Sequence, residues 1–474
     1  MNKVECIGTG ARSKVYKCKK KGKYYAVKVF LVSKKNSNLH STPINIREID
    51  ILSKINHPYC STFIGAFLQK DFKSNIPQIH EMFENSEITK YKNDGIYLLS
   101  ELGEYNLHDL IYKYRLPYSH LKRMMYQILV GLNYLHQNKI MHCDIKPGNI
   151  LCEYDENFSP NVKIIDCGFS CTYFKHDKKL LPISTNPYVP PEVQQNDYKY
   201  NFTSDVWSLG CTFYEMIARD DLFNSTNIEN LESTLEEKLK TLEPQSYYRD
   251  HKSRKRSMKF NTNVISGMRN PGTFNQFKDL LRNMLKIDKS ERYSINDCLN
   301  HSFFSGVDPK DKLQPGIIPS TVKVERDTLP NYNWNKEEIS FCKKYVKILT
   351  KHMHIRAFFF GVDLYQRIRH ESNITLLKTC IYIGFKYFLC YRSPTIQDLF
   401  EDTSKEEEDY MNTAELNIYK LFNFNIYKKT LYECLFDYNI PNRVNIAKQY
   451  VFSPVNTISN KDPMLIARKI NESR

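Results

Sequence analysis

The chain has 474 residues, a formal net charge of +15, and 41% hydrophobic residues. That apolar fraction excludes a disordered chain, and the length predicts about three structural units. The positive balance favours acidic partners, but the lysines are scattered, so a dedicated nucleic-acid site is not expected.

The first residues, Met1 to Gly10, contain no apolar core of a secretory signal. The longest apolar stretches surround Phe358–Phe360 and Cys380–Tyr391. Asp363 and Lys386 interrupt them, and neither reaches the ~20 apolar residues of a membrane span. Thirteen cysteines are an odd number, and no Cys-x-x-Cys occurs. Free thiols in a reducing compartment fit this better than disulfides or zinc. The expectation is a soluble intracellular protein of cytoplasm or nucleus, without membrane contact.

Taken in chain order, residues 2–30 alternate apolar and polar positions around a glycine-rich turn and predict three strands. Within them stands Ile7-Gly8-Thr9-Gly10-Ala11-Arg12-Ser13-Lys14-Val15. Glycines let backbone amides approach phosphates closely, although Gly-x-Gly also occurs in ordinary hairpin turns. Ala26-Val27-Lys28 follows, placing a lysine inside an apolar strand, where an ammonium needs a partner. Residues 44–54 have helical periodicity and carry Glu48, a candidate for that partner; a surface pair is the bland alternative.

Ile96–Leu99 predicts another strand, and from Asn106 to Phe304 long helical patterns dominate. This region holds His142-Cys143-Asp144-Ile145-Lys146-Pro147-Gly148-Asn149 and, after a hairpin, Ile164-Ile165-Asp166-Cys167-Gly168. Pro190-Pro191-Glu192, Asp205-Val206-Trp207-Ser208-Leu209-Gly210 and Arg292 come later. The basic run Lys252–Lys259 reads as a solvated loop, with a nuclear-import or phosphate-binding patch as the alternative. Residues 305–332, with Pro315, Gly316, Pro319 and Pro330, predict a linker. Residues 335–438 are helical again, with Glu406–Asp409 expected as a loop, and 439–474 form a tail.

These motifs, in this order, resemble the eukaryotic protein-kinase family over residues 1–304, with an N-lobe of about 1–100 and a C-lobe of about 101–304. The resemblance implies an α+β bilobal fold and ATP- and Mg²⁺-dependent transfer to protein substrates. It assigns Lys28 to the α- and β-phosphates, paired with Glu48. Asp144 would accept the substrate hydroxyl's proton, Lys146 would steady the phosphoryl group, and Asn149 and Asp166 would hold metal. Ile7 through Val15, Ala26 and Leu151 would enclose the nucleotide, with the hinge backbone of Glu101 and Leu102 on the adenine and Ser100 as gatekeeper. Lys146-Pro147 and Thr185 match the serine/threonine style, and Glu192 would pair with Arg292.

Pro43-Ile44-Asn45-Ile46-Arg47-Glu48-Ile49 resembles the cyclin-binding helix of cyclin-dependent kinases. The His142-Cys143-Asp144 variant is shared with dual-specificity, tyrosine-regulated kinases, which stay in view. Phe358–Ile368, Leu376–Tyr391 with Gly384-Phe385-Lys386-Tyr387, and Glu415–Phe424 are similar in order and spacing to one all-α cyclin box covering about 335–438. An unrelated helical bundle is the alternative. In cyclins the Lys386 and Glu415 positions grip the kinase's first helix. The expectation is therefore a kinase with an intramolecular activator, joined by a linker that reaches back at about 3.3 Å per residue.

Departures from the family pattern are informative. Cys143 replaces the arginine that binds an activation-loop phosphate, and Leu180 stands at the phosphothreonine position. Ala11 and Arg12 replace inhibitory threonine and tyrosine sites, and Val189 replaces an arginine supporting proline-directed recognition. Cys167 replaces a phenylalanine that packs under the first helix. A rival expectation follows: a feebly active scaffold that binds cell-cycle kinases or cyclins of a host cell.

Overall fold

A computed structural model describes residues 5–9, 13–20, 23–30, 43–68, 96–103, 105–114, 116–156, 158–172, 187–194, 200–223, 230–242, 271–307, 334–349, 352–368, 373–389, 394–421, 430, 432–433 and 442–451. Gly10, Ala11, Arg12, Leu180, Thr185, the basic run 252–259 and linker residues 308–332 lie outside them.

Strands β1 (Glu5–Thr9), β2 (Ser13–Lys20) and β3 (Lys23–Phe30) form where the alternation predicts them. Helix α1 (Pro43–Lys54) follows, then β4 (Phe63–Leu68) and β5 (Ile96–Glu101). The five strands make one antiparallel sheet in the order β1-β2-β3-β5-β4. Strand β4 was not expected from the sequence. Gly65 and a register shift interrupt its alternation, so pairing with β5 rather than pattern places it.

Short strands β6 (Tyr105–Asn106) and β7 (Ile140–Met141) flank helices α2 (Leu107–Lys113) and α3 (Tyr118–Gln137). Helix α3 is the axis of the lower lobe: Leu121, Met124, Ile128, Leu132 and Leu135 are buried at helical spacing. Strands β8 (Ile150–Tyr154) and β9 (Pro160–Ile164) form the expected hairpin, and β10 (Cys171–Thr172) pairs with β7.

The lobe continues with α4 (Pro191–Gln194), α5 (Phe202–Ala218), α6 (Leu231–Thr241), α7 (Pro271–Met284) and α8 (Ile295–Leu299). Capping boxes start α5 at Asn201 and α8 at Ser294. Val307 is buried and Lys122 Nζ donates to the Ser305 carbonyl at 2.7 Å, so the lobe closes just past Phe304.

Among the described residues there follow the helices α9 (Lys336–Ile348), α10 (His352–Ile368), α11 (Ile374–Leu389), α12 (Ile396–Leu399), α13 (Lys405–Leu421) and α14 (Arg443–Val451). Helices α10 and α11 cross backbone to backbone. A Cβ at Gly361 would clash with Ile381, and one at Gly384 with the Ala357 carbonyl. The run Glu406–Asp409 is not a loop but the first turns of α13. Ser404 Oγ accepts from Glu407 N at 3.2 Å, and carboxylates there favour the positive end of the helix dipole.

One continuous cluster of buried apolar side chains runs from Ile49 and Leu52 of α1 through α3 to α10 and α11. Helix α11 packs against α1 as well as against α10 and α13. Among the described residues no helix is long and apolar enough to cross a membrane.

Candidate active site

The site lies between the sheet and the helical lobe, and its upper wall is β3. Tyr16, Val27 and Val29 are buried, and this packing leaves Lys28 directed at the cleft. Lys28 Nζ donates to Glu48 Oε1 at 2.7 Å and Oε2 at 2.9 Å, and to Asp166 Oδ1 at 2.9 Å. Burial alone would lower the Lys28 pKa; the two carboxylates outweigh it and hold the ammonium charged well above its usual range. Burial would likewise raise the Asp166 carboxyl, yet Lys28 beside it and the Gly168 N–H keep it below the ordinary value.

Asp166 adopts a left-handed backbone with φ 63°, and Gly168 N donates to its Oδ1 at 3.2 Å. A Cβ on Gly168 would sit 3.0 Å from Asp166 Oδ1 and 3.4 Å from Lys28 Nζ, so glycine keeps room for the ion triad. Both described bonds of Asp166 fall on Oδ1, and its side chain is 38% exposed.

Below the cleft, Asp144 is 2% exposed. Its Oδ2 accepts from Lys146 Nζ and from Asn149 Nδ2, both at 2.8 Å. Asn149 Nδ2 also donates to the Asp144 carbonyl at 2.8 Å, which leaves the side-chain carbonyl oxygen of Asn149 for another partner. His142 Nε2 donates to the Ile165 carbonyl at 2.9 Å, tying this loop to the segment before Asp166.

The loop is held from beneath by Asp205 of α5. The backbone N–H groups of His142 and Cys143 donate to it at 2.9 Å, and Tyr200 Oη and His136 Nε2 at 2.8 Å. Burial would raise the Asp205 carboxyl; His136 and His142 overcome this and hold it low. These bonds fix Cys143 at φ 67°, a conformation that disfavours ordinary side chains.

Cys143 and Cys171 place their sulfurs 3.6 Å apart within a small apolar cluster of Met141, Val193 and Tyr200. Apolar packing therefore surrounds the two sulfurs, with the buried guanidinium of Arg47 from α1 near enough to act on the Cys143 thiol. Further down, Arg292 meets Glu192 at 2.9 and 3.0 Å in a fully buried pair, as expected from the sequence.

For the nucleotide walls, Gly8 pairs with Val15 across β1 and β2, beside Ile7, Thr9, Ser13 and Lys14. Ala26 and Leu151 are buried. At the hinge, Leu102 N donates to the Tyr24 carbonyl at 3.1 Å, so this amide is already engaged. Backbone groups alternate along an extended chain, which puts Gly103 on the same side as Glu101. Ser100 lies opposite Ala26 on one side and Phe63 on the other. Adenine analogues bearing a bulky aryl group are expected to inhibit this chain at low concentration and to lose potency against Ser100→Phe. Equal inhibition of both forms in a transfer assay would show that neighbouring side chains fill the space.

Lys386 and Glu415 come together, but on each other: Nζ to Oε1 is 2.6 Å, with both residues almost fully buried. Tyr419 Oη donates to the same oxygen at 2.6 Å. The next residue makes the contact with α1: Tyr387 Oη donates to Asp50 Oδ2 at 2.8 Å. Sequence reasoning missed both partners. The only signal was a carboxylate set in the apolar run Ile49-Asp50-Ile51-Leu52.

A cleft that offers a charged lysine to a polyanion, hard oxygens to a cation and a buried carboxylate to a hydroxyl is suited to phosphoryl transfer. With a five-stranded lobe above and a helical lobe below, the class it defines is the serine/threonine protein kinase domain. The chain belongs to the protein kinase family, whose model, described as "Protein kinase domain", matches residues 1–304.

Among curated proteins it is similar to "Extracellular signal-regulated kinase 1" of Dictyostelium discoideum, 28% identical over 321 residues. That match covers 65% of this chain and 56% of the relative. It is also similar to "MAPK/MAK/MRK overlapping kinase" of Mus musculus, 30% identical over 375 residues, covering 77% of this chain and 78% of the relative. The same-named protein of Homo sapiens is 30% identical over 305 residues, with 63% and 66% covered. The chain thus spans between about half and four-fifths of these relatives.

Proposed function

We propose that this chain is an ATP- and Mg²⁺-dependent serine/threonine kinase of the cyclin-dependent type, switched on in cis by its C-terminal helices acting as a cyclin-like domain. One observation carries the reading: the Lys28–Glu48 pair is made while α1 is packed against α11. A helix that moves between two positions is biased toward the one its neighbour contacts. The relatives named above carry mitogen-activated or related kinase names. The cyclin-dependent assignment instead rests on residues 43–58 and the helices after 335.

The donor set fits the cofactors. Asn149 and Asp166 present hard oxygens, and Mg²⁺ takes one or two such protein ligands together with substrate phosphates. When bound, the metal supplies charge neutralisation on the phosphates. Lys28 steadies the α- and β-phosphates, the Glu101 carbonyl and Gly103 amide meet the adenine, and Lys146 supports the transferring group. Asp144 orients the substrate hydroxyl and takes its proton.

Protein substrates follow from the family. The rival scaffold reading draws on Cys167 and Cys143, which replace larger or charged residues. Cys167 is nonetheless buried beside Glu48 and raised by that burial, so it acts as packing.

The chain is expected to be active as purified, with no added cyclin or activating kinase. The motive is the apolar cluster around Cys143 and Cys171, where a phosphate would find no cationic receptor in Cys143. Radiolabel transfer to a generic substrate, before and after phosphatase treatment, checks this. Loss of activity on dephosphorylation would contradict it, and absence of transfer under all conditions would favour the scaffold.

A further inference from the structure

Helix α1 carries two acidic residues aimed in opposite directions. Glu48 and Asp50 are two positions apart, and at 3.6 residues per turn their side chains leave the helix about 200° apart. Glu48 reaches Lys28 across the cleft. Asp50, 1% exposed, faces the other way, and its Oδ2 accepts from Tyr387 Oη at 2.8 Å and from Lys54 Nζ at 2.7 Å.

These two described donors differ in kind. Lys54 belongs to the same helix, one turn on, and travels with it. It keeps the buried carboxylate paired but cannot orient α1. Tyr387 belongs to α11, and its ring is fixed there, stacked on Phe360 at 5.3 Å and edge-on to Phe388 at 5.0 Å between centroids. Its hydroxyl is therefore a stationary point against which α1 is held.

We propose that Tyr387 is a positioning residue for phosphoryl transfer: its hydrogen bond to Asp50 sets the roll of α1 and so keeps Glu48 on Lys28. The inference rests on the reading that the C-terminal helices activate the kinase in cis, and it names the contact that does so. A helix pinned on opposite faces cannot roll, whereas apolar packing alone tolerates rotation. A hydrogen bond to a charged group is strong enough to bias such an equilibrium by about tenfold to a hundredfold.

The test uses the full chain. Tyr387→Phe removes only the hydroxyl and keeps the ring packing. It is expected to lower kcat about tenfold to a hundredfold, with KM for a peptide substrate and the cooperative melt little changed. Asp50→Asn, which keeps an acceptor oxygen, is expected to retain far more activity than Asp50→Ala. Tyr387→Phe in a Glu48→Gln background is expected to cost nothing further, because the route to the chemistry passes through Glu48.

Unchanged kcat in Tyr387→Phe, or the same fold loss in the Glu48→Gln background, would overturn the proposal. Removal of the C-terminal helices distinguishes the two readings. If removal depresses kcat while Tyr387→Phe does not, activation in cis stands and the Tyr387 assignment falls. If neither change matters, both fall.

Discussion

Asp144→Asn is expected to cost about two to four decades of turnover while leaving ATP affinity nearly unchanged. The side chain is buried, and its Oδ2 is held between Lys146 Nζ and Asn149 Nδ2. Asparagine fills the same space and keeps an oxygen for one of these donors. It cannot take a proton from a substrate hydroxyl.

Asp166→Asn should fail differently. Its carboxylate lies on Lys28 and opens to the cleft, so the change weakens metal-dependent nucleotide binding as well as transfer. Parallel measurement of nucleotide affinity and single-turnover rate separates the two. An Asp144→Asn chain with near wild-type turnover would remove Asp144 from the chemistry.

Ending the chain after Val307 is expected to depress turnover by about one to three decades while the kinase lobes still melt cooperatively. The cut keeps the Lys122–Ser305 bond and buried Val307, so the lower lobe retains its closure. It removes every contact of α1 with α11, including the Tyr387 hydrogen bond to Asp50. The apolar faces of Ile49 and Leu52 then lose part of their cluster, and α1 is free to swing Glu48 from Lys28.

The double change Lys386→Ala and Glu415→Ala should act in the same direction by another route. These residues bond to each other between α11 and α13, with Tyr419 on the same oxygen. Removing both leaves a buried gap and takes the Glu415 acceptor from the Tyr419 hydroxyl, loosening α11 where it carries Tyr387. A truncated kinase as fast as the full chain on a generic substrate would make the helices an adaptor for some other partner.

Much of this was legible before any fold. Lys28, Asp144, Asn149 and Asp166 stand in short strings whose chemistry is local, and alternation or helical spacing places each string on its strand, loop or helix. Glu406–Asp409 was misread because four acidic residues look alike in a loop and in a helix's first turn; Ser404, capping Glu407, decides it. Strand β4 was missed because its pattern is broken at Gly65.

The sequence by itself therefore determined which residues are candidates for the site and which strings place them on strand, loop or helix, since motif identity and period are properties of neighbouring residues. Only the tertiary structure decided which face of α1 meets which partner. Asp50 and Tyr387 are 337 positions apart, and nothing local marks either as the other's partner. The same holds for Cys143 against Cys171 and for Lys386 against Glu415. A hydrogen bond or contact depends on donor and acceptor meeting within about 3 Å, and for residues so far apart in the chain that meeting is set by how helices pack.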